Sequence, residues 1–260
     1  MALRHGIMIL CLLFVTKCGY GNGLDESNVA AHIERFFSID DLGVGKPFTV
    51  KLKVDGTSSS SHLLSKEEAD SLPFSLSELP NILQLLSIPR GSTRVKAMQD
   101  TLRGCESEPI QGEAKACATS VESLLEFVHT IFGPKTEVKV LTTTHDAMSI
   151  GNSNRYTIMD FKEIPIRKLI GCHPMPYPYK VYHCHHQFDS ETKAFRILLK
   201  GNDGDRFDTY AACHMDTTNW NPNHISFRVL NTKPGSSPVC HIFPEGHLLW
   251  VQPKSNMDHL

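Results

Sequence analysis

The chain has 260 residues, is 40% hydrophobic and 21% charged, and carries a formal net charge of −2. This is the composition of a folded globular protein, so a disordered chain is excluded. Near-neutral charge without a basic tract argues against nucleic acid or an anionic membrane as partner, and no stretch reaches the ~20 apolar residues of a membrane span.

The N-terminus reads as a secretory signal peptide. A short basic start, Met1 to His5, leads into the apolar run Gly6 to Val15, which is too short to cross a bilayer, and small residues follow at Cys18, Gly19 and Gly21. Cleavage is expected near residue 22, leaving a short segment over 23–35. It would remove Cys11 and Cys18 and leave Cys105, Cys117, Cys172, Cys184, Cys213 and Cys240. An even set in an oxidising compartment predicts disulfides. Cys105 and Cys117 are sequence neighbours and are expected to pair with each other. The other four can pair in three ways, and the sequence leaves the choice open. No Asn-x-Ser/Thr sequon occurs.

Residues 36–56 are expected to be extended, with a turn at 54–56, and Thr57 with Ser58 to Ser61 is a loop. Residues 63–132 are expected to be helical. Ser65-Lys66-Glu67-Glu68 is a capping box, and Pro73 ends that helix. Ser75 to Glu78 opens a second helix with Leu79, Ile82, Leu83 and Leu86 inward, stopped by Pro89. Val95, Met98 and Leu102 line a third, closed by Gly104. Thr119-Ser120-Val121-Glu122 caps a fourth, which Gly133-Pro134 stops. From Thr136 onward the apolar period becomes two: Val138, Val140, Tyr156, Ile158, Val181, Phe195, Ile197, Leu199, Phe227 and Val229. Residues 201–205 (Gly-Asn-Asp-Gly-Asp) signal a hairpin turn. The predicted class is α+β, a helical N-terminal half packed on a disulfide-bonded, β-rich C-terminal half.

That second half carries the main motif. A Cys-His pair occurs four times, at 172–173, 184–185, 213–214 and 240–241, with spacers of 10, 27 and 25 residues. Neighbouring side chains on a strand face opposite sides. Each pair therefore sends sulfur one way and imidazole the other, so sulfurs can be oxidised on a buried face while imidazoles gather on the opposite one. The Cys-x₂₋₄-Cys spacing of a zinc finger is absent. A histidine-only site suits Cu, Zn, Ni or Fe and disfavours Ca and Mg. His183 shares a strand face with His185, and His214 and His241 would complete the set. His224, His247 and His259 are expected to have no ligand role. Tyr177, Tyr179 and Tyr182 lie near the pairs and are expected to pack, redox activity being their alternative role in a metal enzyme. A serine hydrolase is excluded for want of a Gly-x-Ser-x-Gly elbow.

The four pairs at this spacing closely resemble the plant BURP domain. So do Phe36-Phe37 with Asp40-Asp41-Leu42 and Gly45, Ser65 to Ala69 with Pro73-Phe74, Arg103-Gly104-Cys105-Glu106, and Gly112 to Ser120 with Glu122-Ser123. The resemblance covers residues 36–252 and leaves a tail over 253–260. It implies a land-plant protein of the secretory pathway, placed in cell wall or apoplast or in protein storage vacuoles. It also implies roles in seed or reproductive development, stress response or wall modification. Some members are copper-dependent cyclases that crosslink Tyr or Trp of a core peptide, with copper held by histidines that here correspond to His173, His185, His214 and His241, His183 being an added candidate. No core peptide or spacer repeat precedes the domain here, so the chain resembles the compact unknown-seed-protein or dehydration-responsive type. A non-enzymatic protein that binds a wall component or secreted peptide is the expectation. A copper enzyme acting on a separate peptide is the alternative.

Overall fold

The computed structural model describes residues 35–52, 62–146 and 154–254. The expected signal peptide, the expected turn at 54–56 and loop at 57–61, and His259 lie outside the described residues.

Two antiparallel sheets form the body. In chain order the strands are β1 (Phe36–Phe37), β2 (Pro47–Thr49), β3 (Glu113–Ala118), β4 (Lys139–Leu141), β5 (Thr144–Asp146), β6 (Arg155–Ile164), β7 (Ile166–Met175), β8 (Val181–Gln187), β9 (Thr192–Gly201), β10 (Arg206–His214), β11 (Val239–Phe243) and β12 (Leu248–Pro253). One sheet runs β1-β11-β10-β9-β6-β2, with β5 also on β10; the other runs β3-β8-β7-β12-β4. Helices α1 (Lys66–Ser71), α2 (Leu79–Leu85), α3 (Thr93–Glu106), α4 (Val121–Phe132) and α5 (Ile225–Val229) pack around them.

The expected division into a helical half and a β half is therefore wrong. β1 and β2 come from the N-terminal part and join the first sheet, and β3 interrupts the stretch read as helical and becomes the edge of the second. Glu113-Ala-Lys-Ala-Cys-Ala misleads because Ala, Lys and Glu favour helix. Pairing with β8 overrides that preference, with Ala116 opposite Cys184 and Cys117 opposite His183. Two helices begin at their sequence caps. Ser65 and Ser120 make reciprocal capping boxes, and Gly133 ends α4 at φ 89°. The second helix starts later than expected, at Leu79, with Glu78 as its N-cap.

Strand alternation sorts the core into three layers. On the outer face of the first sheet, Phe37 and Phe48 of its own edge strands pack with Leu52, Phe195, Ile197, Phe207, Cys213, Cys240 and Ile242. Leu124, Val128 and Phe132 of α4 cover the outer face of the second, on Ile170, Cys172, Tyr182 and Cys184. Between the sheets lie Ile164, Leu169, Ala194, Ala212, Phe243, Leu249 and Val251. The disulfides are Cys105–Cys117, Cys172–Cys184 and Cys213–Cys240. The last two join residues directly opposite in register, with Cα atoms 4.0 and 3.9 Å apart.

Two substitutions test this layering by urea denaturation. Phe243→Ala, in the middle layer, is expected to cost ~3–5 kcal/mol. Removing the Cys213–Cys240 bridge as a double alanine variant should cost ~2–5 kcal/mol. Wild-type stability in either would contradict the arrangement.

Candidate metal centre

The registers place the imidazoles. On β7 and β8, Cys172 faces Cys184, His173 faces His183, and Gly171 faces His185. On β10 and β11, Cys213 faces Cys240 and His241 faces Ala212. Since alternate residues point to opposite faces, both disulfides lie on the outer faces of their sheets. His173, His183 and His185 from one sheet then meet His214 and His241 from the other in the middle layer. The sequence expectation gave the buried face to the sulfurs alone; in the structure the imidazole face is buried too, between the sheets. Gly171 keeps the space open: a Cβ there would come within 3.0 Å of the Phe243 ring and 3.3 Å of His173 Nε2.

One nitrogen from each of His173, His185 and His241 lies within 4.8 Å of the others. His173 Nε2 is 3.2 Å from His185 Nε2, and His214 Nε2 is 3.4 Å from His241 Nε2. The outward-facing nitrogens have their own supports. His185 Nδ1 is 3.4 Å from Glu113 Oε1, and His173 Nδ1 is 2.9 Å from His247 Nδ1. Ionised Glu113 can only accept, so His185 Nδ1 carries its proton and leaves Nε2 as a bare lone pair. With neutral rings the chain is self-consistent: His247 donates to His173 Nδ1, and His173 Nε2–H donates to His185 Nε2. His214 Nδ1 is buried without a hydrogen-bond partner.

The electrostatics favour neutral rings. Burial, then the neighbouring imidazoles, hold His173 and His214 well below the usual histidine range. Burial likewise holds His247 well below that range, reinforced by Arg35 and His241. His241 is pushed down to about 3 and His183 to about 4, burial being the larger cause in both. Burial alone would raise the Glu113 carboxyl, but hydrogen bonding and charge from His185 and the Ile110 N–H outweigh it and leave it low. His214 and His241 are buried, whereas His173 and His185 are partly exposed, which gives the cluster an open side.

The donor set fits a borderline metal such as copper. Neutral imidazoles converge, two have outer partners that fix ring orientation, and no carboxylate lies among the converging atoms. Copper would be held by His173, His185 and His241, with His214 next in line. His183 lies on the same face, its ring 6.0 Å from that of His185, but is outside the converging triad. His224 caps α5 and bonds Ser226 Oγ at 2.7 Å. Tyr177 packs with Phe74 and Tyr179, and Tyr182 donates to Gly246 O.

Sequence reasoning missed Glu113 and His247. Glu113 was hidden by the helical reading of its segment. His247 had a signal: Pro244-Glu245-Gly246 turns the chain so that Leu248 returns opposite Cys172, which brings the residue before it beside His173.

The BURP domain family profile matches residues 35–252. The chain is 39% identical over 225 residues to BURP domain-containing protein BNM2A of Brassica napus, covering 83% of this chain and 78% of that protein. It is 37% identical over 232 residues to BURP domain-containing protein 3 of Oryza sativa subsp. japonica, covering 88% of this chain and 52% of that protein. Protein RAFTIN 1A of Triticum aestivum is 34% identical over 238 residues, covering 90% of this chain and 59% of that protein.

Buried neutral imidazoles predict an acid-labile metal-free protein. An unfolded histidine titrates near 6.5 and these titrate lower when folded, so below about pH 6.5 the unfolded chain binds more protons. Their stabilisation is complete above that pH and is lost as pH falls toward 4. The urea midpoint should drop between pH 7.5 and 4.5, and His183→Gln should drop less. A midpoint independent of pH would refute the buried neutral state.

Proposed function

The chain belongs to the BURP domain family of plant proteins, and on that premise we propose that it is a secreted, disulfide-framed copper-binding protein without catalytic activity of its own. Its place would be the cell wall, apoplast or protein storage vacuole, where it would bind a wall component or a secreted peptide during development or stress. The observation that carries the copper reading is the convergence of His173, His185 and His241 within 4.8 Å, supplied by both sheets. Three disulfides favour an oxidising compartment. No helix among the described residues is long and apolar enough to cross a membrane.

The protein's own residues define what the site would do. Glu113 holds the His185 Nδ1 proton, so Nε2 is free to bind. His247 can take either tautomer, so the proton on His173 Nε2 can move to Nδ1 and be accepted by His247. Metal entry at His173 then needs no net charge change.

One observation favours a second reading, oxidative crosslinking of Tyr or Trp in a separate peptide: His173 and His185 are the partly exposed members of the triad, so a side chain from outside could approach. Bound copper would supply one-electron oxidation of a phenol or indole with dioxygen as acceptor.

Purified, oxidised protein is expected to bind copper(II) with nitrogen ligation. His185→Ala, His214→Ala and His247→Ala should each weaken binding about tenfold or more, because loss of an outer support alone costs about 10–100-fold. His186→Ala, on the opposite strand face, should not. Equal binding by all four variants would reduce the cluster to framework. A product lighter by two hydrogens per bond, formed from Tyr- or Trp-containing peptides in air, would replace the non-enzymatic reading with the second. A C-terminal fluorescent fusion should appear in wall, apoplast or vacuole, and cytosolic signal from the intact fusion would refute secretion.

A further inference from the structure

A second concave site lies away from the imidazoles, at the seam between the β6–β7 hairpin and the turn from β8 into β9. It encloses about 300 Å³, the lower end of the ~300–1,000 Å³ typical of small-molecule sites. Four cations line it, Arg167, Lys168, Lys193 and Lys254, against two carboxylates, Glu163 and Glu191. Glu163 is paired with Lys193 at 3.5 Å. Lys168 gives one donor to Ile131 O at 3.0 Å, and Arg167 gives one to Lys254 O at 3.4 Å. An ammonium has three donors and a guanidinium five, so both keep N–H groups for a ligand.

Two further observations point to what would fill it. Ser190 Oγ and Thr192 Oγ1, in the pocket wall, are buried and have no hydrogen-bond partner. A buried unpaired hydroxyl is costly, and a rotamer change would turn each toward an occupant. Phe188 is 60% exposed at the rim, its ring set edge-on against His186. His186 is itself anchored, since a carbonyl only accepts and its Nδ1 must therefore donate to Leu169 O at 2.7 Å.

We infer that this seam binds a small oxyanion-bearing ligand built on a hydroxylated ring, a sugar acid or a sugar phosphate. The excess of cations supplies the anion's partners, charge-assisted hydrogen bonds being the strong ones. Ser190 and Thr192 supply hydroxyl partners for the ring, and Phe188 offers an apolar face to its C–H surface. The volume admits one such ring. The site shares no lining residue with the converging triad, because His186 and His185 point to opposite faces of β8.

Titration calorimetry at low salt tests this with four probes: glucuronate, glucose 6-phosphate, glucose and inorganic phosphate. At least one anionic sugar should bind, and the stronger of the two identifies carboxylate or phosphate as the recognised group. The double variant Arg167→Gln/Lys254→Gln should weaken that binding about tenfold or more, from the loss of charge-assisted bonds, while keeping the wild-type thermal midpoint. Phe188→Ala should weaken the anionic sugars several-fold and leave inorganic phosphate unchanged. Glucose or inorganic phosphate binding as tightly as the sugar anions would overturn the inference. So would undiminished binding by the double variant, or no binding of either anionic sugar at millimolar concentration.

Discussion

Everything at the candidate metal centre depends on the pleat of a strand acting on adjacent residues. A Cys-His dipeptide cannot put both side chains on one face. Once the Cys172–Cys184 and Cys213–Cys240 bridges form, the imidazoles must lie on the other face, which is where the two sheets meet. A slip of one residue in either pairing would send the imidazoles of the slipped strand outward. Because each bridge joins residues directly opposite in register, it also forbids that slip. The disulfides thus fix the address of the histidines as well as constraining the unfolded chain.

Placing imidazoles between sheets has a cost that the surroundings only partly offset. Five rings share a layer otherwise filled by residues such as Phe243 and Leu249. Burial, then the neighbouring imidazoles, keep His173, His183, His214 and His241 neutral, so proton order must be settled by hydrogen bonds. Glu113 anchors one end of that order and His247 the other. His214 Nδ1 stays unpaired. A purely structural layer would be more stable filled with Leu or Phe at these positions. That the chain carries convergent imidazoles instead is the physical support for the copper reading proposed above.

The sequence made the histidine cluster legible and the architecture only in part. Alternation, the even cysteine count and the spacing of the pairs were enough to send His173, His185 and His241 to a common face. The caps at Ser65 and Ser120 marked two helices closely. What stayed hidden was non-local. Glu113–Ala118 has a helical composition and becomes a strand only because β8 offers an unpaired edge. The pairing of the last four cysteines depends on which strands are neighbours, which spacing alone does not determine. Glu113 lies in a segment that carries the family resemblance but no ligand chemistry, and it reaches the cluster only through the pairing of β3 with β8; His247 reaches it through the turn at Pro244-Glu245-Gly246.

The two-sheet origin of the triad carries a mechanical consequence under the copper reading. His173 and His185 belong to one sheet and His241 to the other. Each disulfide among the strands lies within a single sheet, so neither crosses the middle layer. That layer is held by apolar contacts such as Phe243 on His173 and by the imidazoles themselves. An ion shared by the triad would be the crosslink between sheets that the disulfides do not provide. Binding free energy would then appear as resistance to separation of the sheets, since a ligand that favours the packed state stabilises it by mass action. Acid would act twice on the same junction, by protonating buried rings and by displacing the ion. The division of labour follows from the dipeptide itself: sulfur fixes register within each sheet, and imidazole joins one sheet to the other.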